Sequence, residues 1–82
     1  MLIIFGSLII FLSNSNLEHI GKNAFRNCKK LRKIILPDSV KTIGNSAFDG
    51  CNNIETIILG KNIVFIGTDA FRNCRKLKSI TI

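Results

Sequence analysis

The chain has 82 residues, of which 46% are hydrophobic, 7% aromatic and 21% charged, with a formal net charge of +7. That length holds one small domain and excludes a multi-domain enzyme. The hydrophobic fraction excludes a disordered basic tail, and the absence of Trp and Tyr leaves little for base stacking. Three cysteines, an odd number, exclude a complete disulfide framework.

Residues 1–16 open with an almost wholly apolar run, MLIIFGSLIIFL, and then Ser13-Asn14-Ser15-Asn16. At 12 residues the run is too short to span a bilayer, so no transmembrane span is expected. Its length suits the apolar region of a signal peptide, with Ser13 and Ser15 as small residues near a cleavage point, although no Lys or Arg precedes it. The other reading is a hydrophobic cap or strand packed on the rest of the chain. A shift of one repeat length places Leu8 and Phe11 under Leu31 and Ile34. It also puts Ile3, Ile4, Ile9 and Ile10 at positions that hold Arg and Lys or Asn later in the chain. Both readings stand at the level of sequence.

From Leu17 the chain repeats with a 23-residue period, without insertion or deletion. The units are 17–39, 40–62 and 63–82. Isoleucine and glycine recur together at Ile20-Gly21, Ile43-Gly44 and Ile66-Gly67. The Ala-Phe pairs at 24–25, 47–48 and 70–71 recur, as do Cys28, Cys51 and Cys74. Leu31, Ile54 and Leu77 come next, then Ile34, Ile57 and Ile80, and the units close on Leu36, Leu59 and Ile82.

Each unit reads as a short strand (Lys33 to Leu36 and its copies), a turn, and a second extended piece from Val40 to Ile43. The turns carry Pro37-Asp38-Ser39, Gly60-Lys61-Asn62 and, on the N-terminal side, Asn14-Ser15-Asn16. Gly44 marks a sharp bend, for which a positive φ is expected. Asn23, Ser46 and Asp69 are all good N-caps, which predicts a helical turn from each Ala-Phe pair, with Cys51 and Ile54 on the inward face. One unit cannot bury its apolar residues alone. Units stacked with strands in parallel register can, and the Phe, Cys and Leu/Ile positions become ladders in the core.

The pattern I-G-x-x-A-F-x-x-C-x-x-L-x-x-I-x-L-P resembles the BspA-like leucine-rich repeat, over Leu17 to Ile82. Ile54 in place of Leu, and Gly60 where Pro37 stands, are the departures. The resemblance implies a curved repeat solenoid of the leucine-rich-repeat type, β-rich α/β, with in-register parallel strands and short helical turns. It also implies surface proteins of bacteria and parasitic protists that act in adhesion or protein–protein contact without catalysis. A cell-surface or extracellular location follows from the resemblance; a cytoplasmic one remains open.

Candidate chemistry is sparse. Cysteines one full repeat apart fit no metal motif, whose ligands lie close together in pairs. Stacking leaves one neighbour-to-neighbour disulfide open, but buried thiols acting as apolar filler are the expectation. His19, beside Glu18 in a surface turn, has no Ser, Asp or second His recurring with it. Isolated glycines build no phosphate loop. The chain is therefore read as non-enzymatic, with no cofactor.

Two surfaces remain. The outward face of the sheet should show Lys33, Thr56 and Ser79 in one column and Ile35, Ile58 and Thr81 in the next, a strip suited to a protein partner. The second is a basic face, with Arg26, Lys29 and Lys30 in the first unit and Arg72, Arg75 and Lys76 in the third, a candidate for anions. Stacking sorts these charges: Asp49 lies between Arg26 and Arg72, Glu55 between Arg32 and Lys78, and Asn52 and Asn53 separate the remaining bases. Such exposed pairs stabilise by about 0–1 kcal/mol each, so this face reads mainly as solvated surface and no specific nucleic acid is expected. The rival function is a basic module for an anionic polymer or lipid surface. Because the sequence stops inside a strand, a fragment of a longer array or end-to-end self-association is also expected.

Overall fold

The computed structural model describes residues 2–5, 9–12 and 16–81. Ser13 and Ser15, the Asn14-Ser15 part of the first turn, Leu8 and the closing Ile82 lie outside the described residues. Eight short strands form two sheets: β1 (Leu2–Phe5), β2 (Ile9–Leu12), β3 (His19–Ile20), β4 (Lys33–Ile35), β5 (Thr42–Ile43), β6 (Thr56–Ile58), β7 (Phe65–Ile66) and β8 (Ser79–Thr81). The larger sheet runs β1-β2-β4-β6-β8 and the smaller β3-β5-β7.

The 23-residue period becomes register. Ile34 pairs with Ile57 and Ile57 with Ile80 in the larger sheet, while Ile20 pairs with Ile43 and Ile43 with Ile66 in the smaller, all parallel. Each repeat is thus one rung, with a three-residue strand on one wall and a two-residue strand on another. Alternation along β4 and β6 turns Ile34 and Ile57 inward, where both are fully buried. Val40, Ile43, Ala47, Phe48, Cys51 and Ile54 complete the sealed core of the middle rung.

The third wall corrects the sequence reading. Among the described residues there is no helix, only consecutive turns from Lys22 to Asn27 and at the equivalent positions. The amide hydrogens alternate between two kinds of acceptor. Those of Ala24, Arg26 and Cys28 go back three residues to Gly21, Asn23 and Phe25. Those of Asn23, Phe25 and Asn27 cross to the carbonyls of Asn45, Ala47 and Asp49 in the next rung, at 2.7–3.1 Å. A helix would keep every amide within its own ladder and leave nothing for the neighbouring rung. Asn23, Ser46 and Asp69 are not N-caps, which take β-region dihedrals. They sit in the left-handed region at φ of 60°, 57° and 59°, where short polar residues are the best tolerated after glycine. Asn27, Gly50 and Asn73 repeat the device at φ of 61°, 79° and 61°. Cys51 and Ile54 do face inward, but through these turns.

Gly44 is corrected in the same way, since Gly50 is the glycine with a positive φ among the described residues. What Gly44 provides is close approach: a Cβ there would lie 2.7 Å from the Lys22 nitrogen and 2.8 Å from the Gly21 carbonyl carbon. Gly67 meets the Asn45 nitrogen at 2.6 Å for the same reason. Gly60 also stacks on backbone, 2.7 Å from Asp38 Cα, which accounts for glycine where the first repeat has Pro37.

At the N-terminal side, β1 and β2 pair antiparallel, Leu2 to Leu12, and β2 adds in parallel to β4 with Ile10 opposite Ile34. The offset is therefore one position longer than the repeat, which would have set Phe11 under Ile34. A one-residue slip exchanges the two faces of a strand, so Ile10, and not Phe11, occupies the register position of the inward isoleucine ladder.

The stacking glycines make opposite predictions. A Cβ on Gly21 meets nothing within 4 Å, so Gly21→Ala should change stability by less than about 0.5 kcal/mol. Gly44→Ala and Gly67→Ala should each cost about 1–3 kcal/mol or more, because the obstacle is backbone. Urea denaturation of the three variants checks this.

Candidate functional site

The larger sheet positions the expected columns as the sequence implies. Lys33 pairs with Thr56 and Thr56 with Ser79, and Ile35 pairs with Ile58 and Ile58 with Thr81. Lys33, Ile35, Thr56 and Ile58 are half-buried, whereas Ser79 and Thr81 are exposed. Strand β2 carries the same rows one step further, with Ile9 at the Lys33 position and Phe11 at the Ile35 position. Strands β2, β4, β6 and β8 are thus parallel neighbours, and within β4 and β6 the branched pair Ile35 and Ile58 lies beside Lys33 and Thr56.

The basic face is partly neutralised. Arg26 Nε lies 3.8 Å from Asp49 Oδ2, and Lys78 Nζ donates to Glu55 Oε1 at 2.9 Å. That bond and the positive charge behind it lower the Glu55 carboxyl below its ordinary pKa, with Arg32 adding to the effect. Arg72 departs from its expected column. It pairs with Asp69 of its own turn at 3.6 Å, a neighbour three residues away, while Asp49 faces Arg26 and the Asn73 amide at 3.5 Å. The Asn53 amide donates to the Lys29 carbonyl at 2.6 Å. Lys29, Lys30, Arg75 and Lys76 are all exposed and make no ion pair among the described residues.

His19 lies in strand β3 and not in a turn. Its Nδ1 meets Thr42 Oγ1 at 2.7 Å, a lateral contact of the same kind as the other rung-to-rung pairs. The cysteines are free thiols. Cys51 Sγ donates to the Phe25 carbonyl at 3.1 Å and Cys74 Sγ to that of Phe48 at 3.2 Å. Burial pushes the Cys51 thiol up to about 12 and raises those of Cys28 and Cys74. A high thiol pKa suppresses the nucleophilic thiolate, so these side chains fill space. No group of His, Cys, Asp or Glu among the described residues is placed to hold a metal ion.

One apolar feature lies outside the expected surfaces. On the smaller sheet the third rung replaces Glu18-His19 and Lys41-Thr42 with Val64-Phe65. Val64 is 79% exposed and Phe65 56%, and with Ile63 and Ile66 they line a depression of about 320 Å³. The signal was present in the alignment of the repeats, as two polar columns that turn apolar in the last copy.

The family model described as the BspA-type leucine-rich repeat region (6 copies) matches residues 7–82. No curated protein and no solved structure matches the chain significantly. Among the described residues no helix is long and apolar enough to cross a membrane.

The raised thiol sets a pH window. A thiol whose pKa is higher in the folded state stabilises the fold below the ordinary thiol range. That contribution is lost as the pH rises towards the folded value. The stability difference between the native chain and Cys51→Val should therefore narrow between about pH 9 and about 12. Native-state alkylation should label Cys51 last. Urea titration at stepped pH and mass-resolved labelling read the two effects.

Proposed function

Because the chain belongs to the BspA-type leucine-rich repeat family, we propose that it is a non-catalytic protein–protein interaction module whose contact surface is the outward face of the β2-β4-β6-β8 sheet. Within this reading the chain serves adhesion, as a stretch of solenoid in a surface-associated repeat protein. The observation that carries it is the apolar row of Ile35 and Ile58, held in register on a parallel sheet and continued at the Phe11 position of β2. Fold alone does not specify function; here an outward branched row beside a polar row supplies area and hydrogen-bonding groups together. Lys33, Thr56, Ser79 and Thr81 give the polar groups around the isoleucines. The partner is a protein, and no specific nucleic acid is part of the proposal.

A second reading is favoured by the unpaired bases. In this reading Arg26, Lys29, Lys30, Arg72, Arg75 and Lys76 form one basic face; of these, Lys29, Lys30, Arg75 and Lys76 have no acid partner among the described residues. They would attract an anionic polymer or lipid surface.

Ionic strength and substitution separate the two. Beads coated with the chain are tested for attachment to host cells and to a panel of purified extracellular-matrix proteins. For the sheet-face reading, Ile35→Lys and Ile58→Lys should each weaken attachment about tenfold, or about 1.4 kcal/mol, with unfolding midpoints monitored in parallel. Raising the salt from low to high concentration should change it little. Loss of attachment with rising salt, together with unchanged behaviour of the isoleucine variants and retention on heparin, would replace the first reading with the second.

A further inference from the structure

The charge of the chain divides into pairs and a remainder. Twelve bases stand against five acids. Each acid has its own base at 2.9–3.9 Å: Glu18 with Lys41, Asp38 with Lys61, Asp49 with Arg26, Glu55 with Lys78 and Asp69 with Arg72. Twelve less those five leaves seven bases without an ion pair among the described residues, equal to the net charge of +7. Four of the seven are Lys29, Lys30, Arg75 and Lys76, and local structure puts all four at the same kind of place.

Each repeat turns sharply after its cysteine. The Leu31 amide donates to the Cys28 carbonyl at 3.3 Å, Ile54 to Cys51 at 3.2 Å and Leu77 to Cys74 at 3.1 Å. Lys29-Lys30, Asn52-Asn53 and Arg75-Lys76 are the central pairs of these four-residue turns, and so their tips. Bonds between rungs hold the tips in line. Asn27 donates to Asp49 and Glu55 to Arg32 on either side of the first interval, and Gly50 to Arg72 and Lys78 to Glu55 around the second. The Asn53 amide also reaches the Lys29 carbonyl at 2.6 Å. At about 4.8 Å per rung the tips form a ridge about 10 Å long, with a basic pair at each end and two amides between. Asn52 and Asn53 stay half-exposed in a rung whose core is sealed, so the ridge faces sideways from the stack.

We propose that this ridge is a binding site for a sulfated polysaccharide, with sulfates on the two basic pairs and sugar hydroxyls at the amides of Asn52 and Asn53. The site deepens the anionic reading above and rests on it, independently of the sheet face. The arrangement favours this polyanion over others. Single-stranded nucleic acid is held on aromatic platforms beside the basic groove, and the phenylalanines of the turn wall, Phe25, Phe48 and Phe71, pack into the core. A lipid surface is bound by bases beside apolar residues that enter it, and the residues flanking the tips, Cys28 and Leu31 with their counterparts, also pack inward. A linear sulfated sugar needs neither. It offers fixed charges along one line with hydroxyls between them, and an amide both donates and accepts, as a hydroxyl requires.

The test uses the full chain and a heparin hexasaccharide, observed by NMR at low and high salt. The hexasaccharide should shift the amides of residues 29–30, 52–53 and 75–76 and leave those of Ile35 and Ile58 in place, and its binding should weaken as salt rises. Hyaluronan of the same length, which carries carboxylates without sulfate, should bind at least about tenfold more weakly, as should poly-U RNA and phosphatidylserine vesicles. Lys29→Gln with Lys30→Gln, and Arg75→Gln with Lys76→Gln, should each weaken heparin binding about tenfold. Lys41→Gln with Lys61→Gln removes the same charge from paired bases and should change it less than about twofold. An equal loss in that control, shifts centred away from the six tip residues, or RNA or vesicles bound as tightly as heparin would each overturn the sulfated-sugar site and leave a general anionic surface standing. Failure of every probe to bind at low salt would remove the anionic reading as well, without altering attachment through Ile35 and Ile58.

Discussion

The structure depends on how closely one rung's backbone approaches the next. Amides of the turn wall cross to neighbouring carbonyls at 2.7–3.1 Å, and this spacing fixes every other choice. It demands glycine at positions 44, 60 and 67, where any side chain would strike backbone of the preceding repeat. It also forces equal numbers of residues in every repeat, since one insertion would turn an inward ladder outward. The 23-residue period is this constraint written into the chain.

Once the spacing is set, like stacks on like. Phe25 and Phe48 stack with centroids 5.2 Å apart and rings 5° from parallel, and Phe48 and Phe71 at 5.5 Å and 7°. The cysteine column fits because a thiol is small, and its proton can be shared with the carbonyl of the previous Phe. Charged columns obey the opposite rule. Identical bases on successive rungs would repel, so the middle repeat varies where the core does not, with Asp49 and Glu55 between basic neighbours. The same rule makes the +7 a distribution to be mapped rung by rung.

The repeats, the inward ladders and the two outward columns of the larger sheet were legible because each depends only on period and alternation. Ile34 and Ile57 had to face inward if they fell between Lys33 and Ile35, or Thr56 and Ile58. The turn wall was not legible in the same way. Asn, Ser and Asp before an Ala-Phe pair suit both a helix cap and a left-handed turn residue. The choice between them lies with acceptors in the next repeat, as in the Asn23 amide bonded to the Asn45 carbonyl. Arg72 was assigned to Asp49 by register alone, and lost to the nearer carboxylate of Asp69. Val64 and Phe65 become legible only when the outward positions of the shorter strand are compared across the three copies.

By itself, then, the sequence determined the repeat, its family likeness, the parallel register and the residues of the core. These follow from periodicity, which is local information copied three times. Tertiary structure alone decided how the turn wall bonds, why its glycines are needed, and where the N-terminal strands register. Each of these is a contact between backbones of different rungs. A backbone amide carries no mark in the sequence of which acceptor it will find, and Ile10 could be placed opposite Ile34 only once β2 had a strand to join.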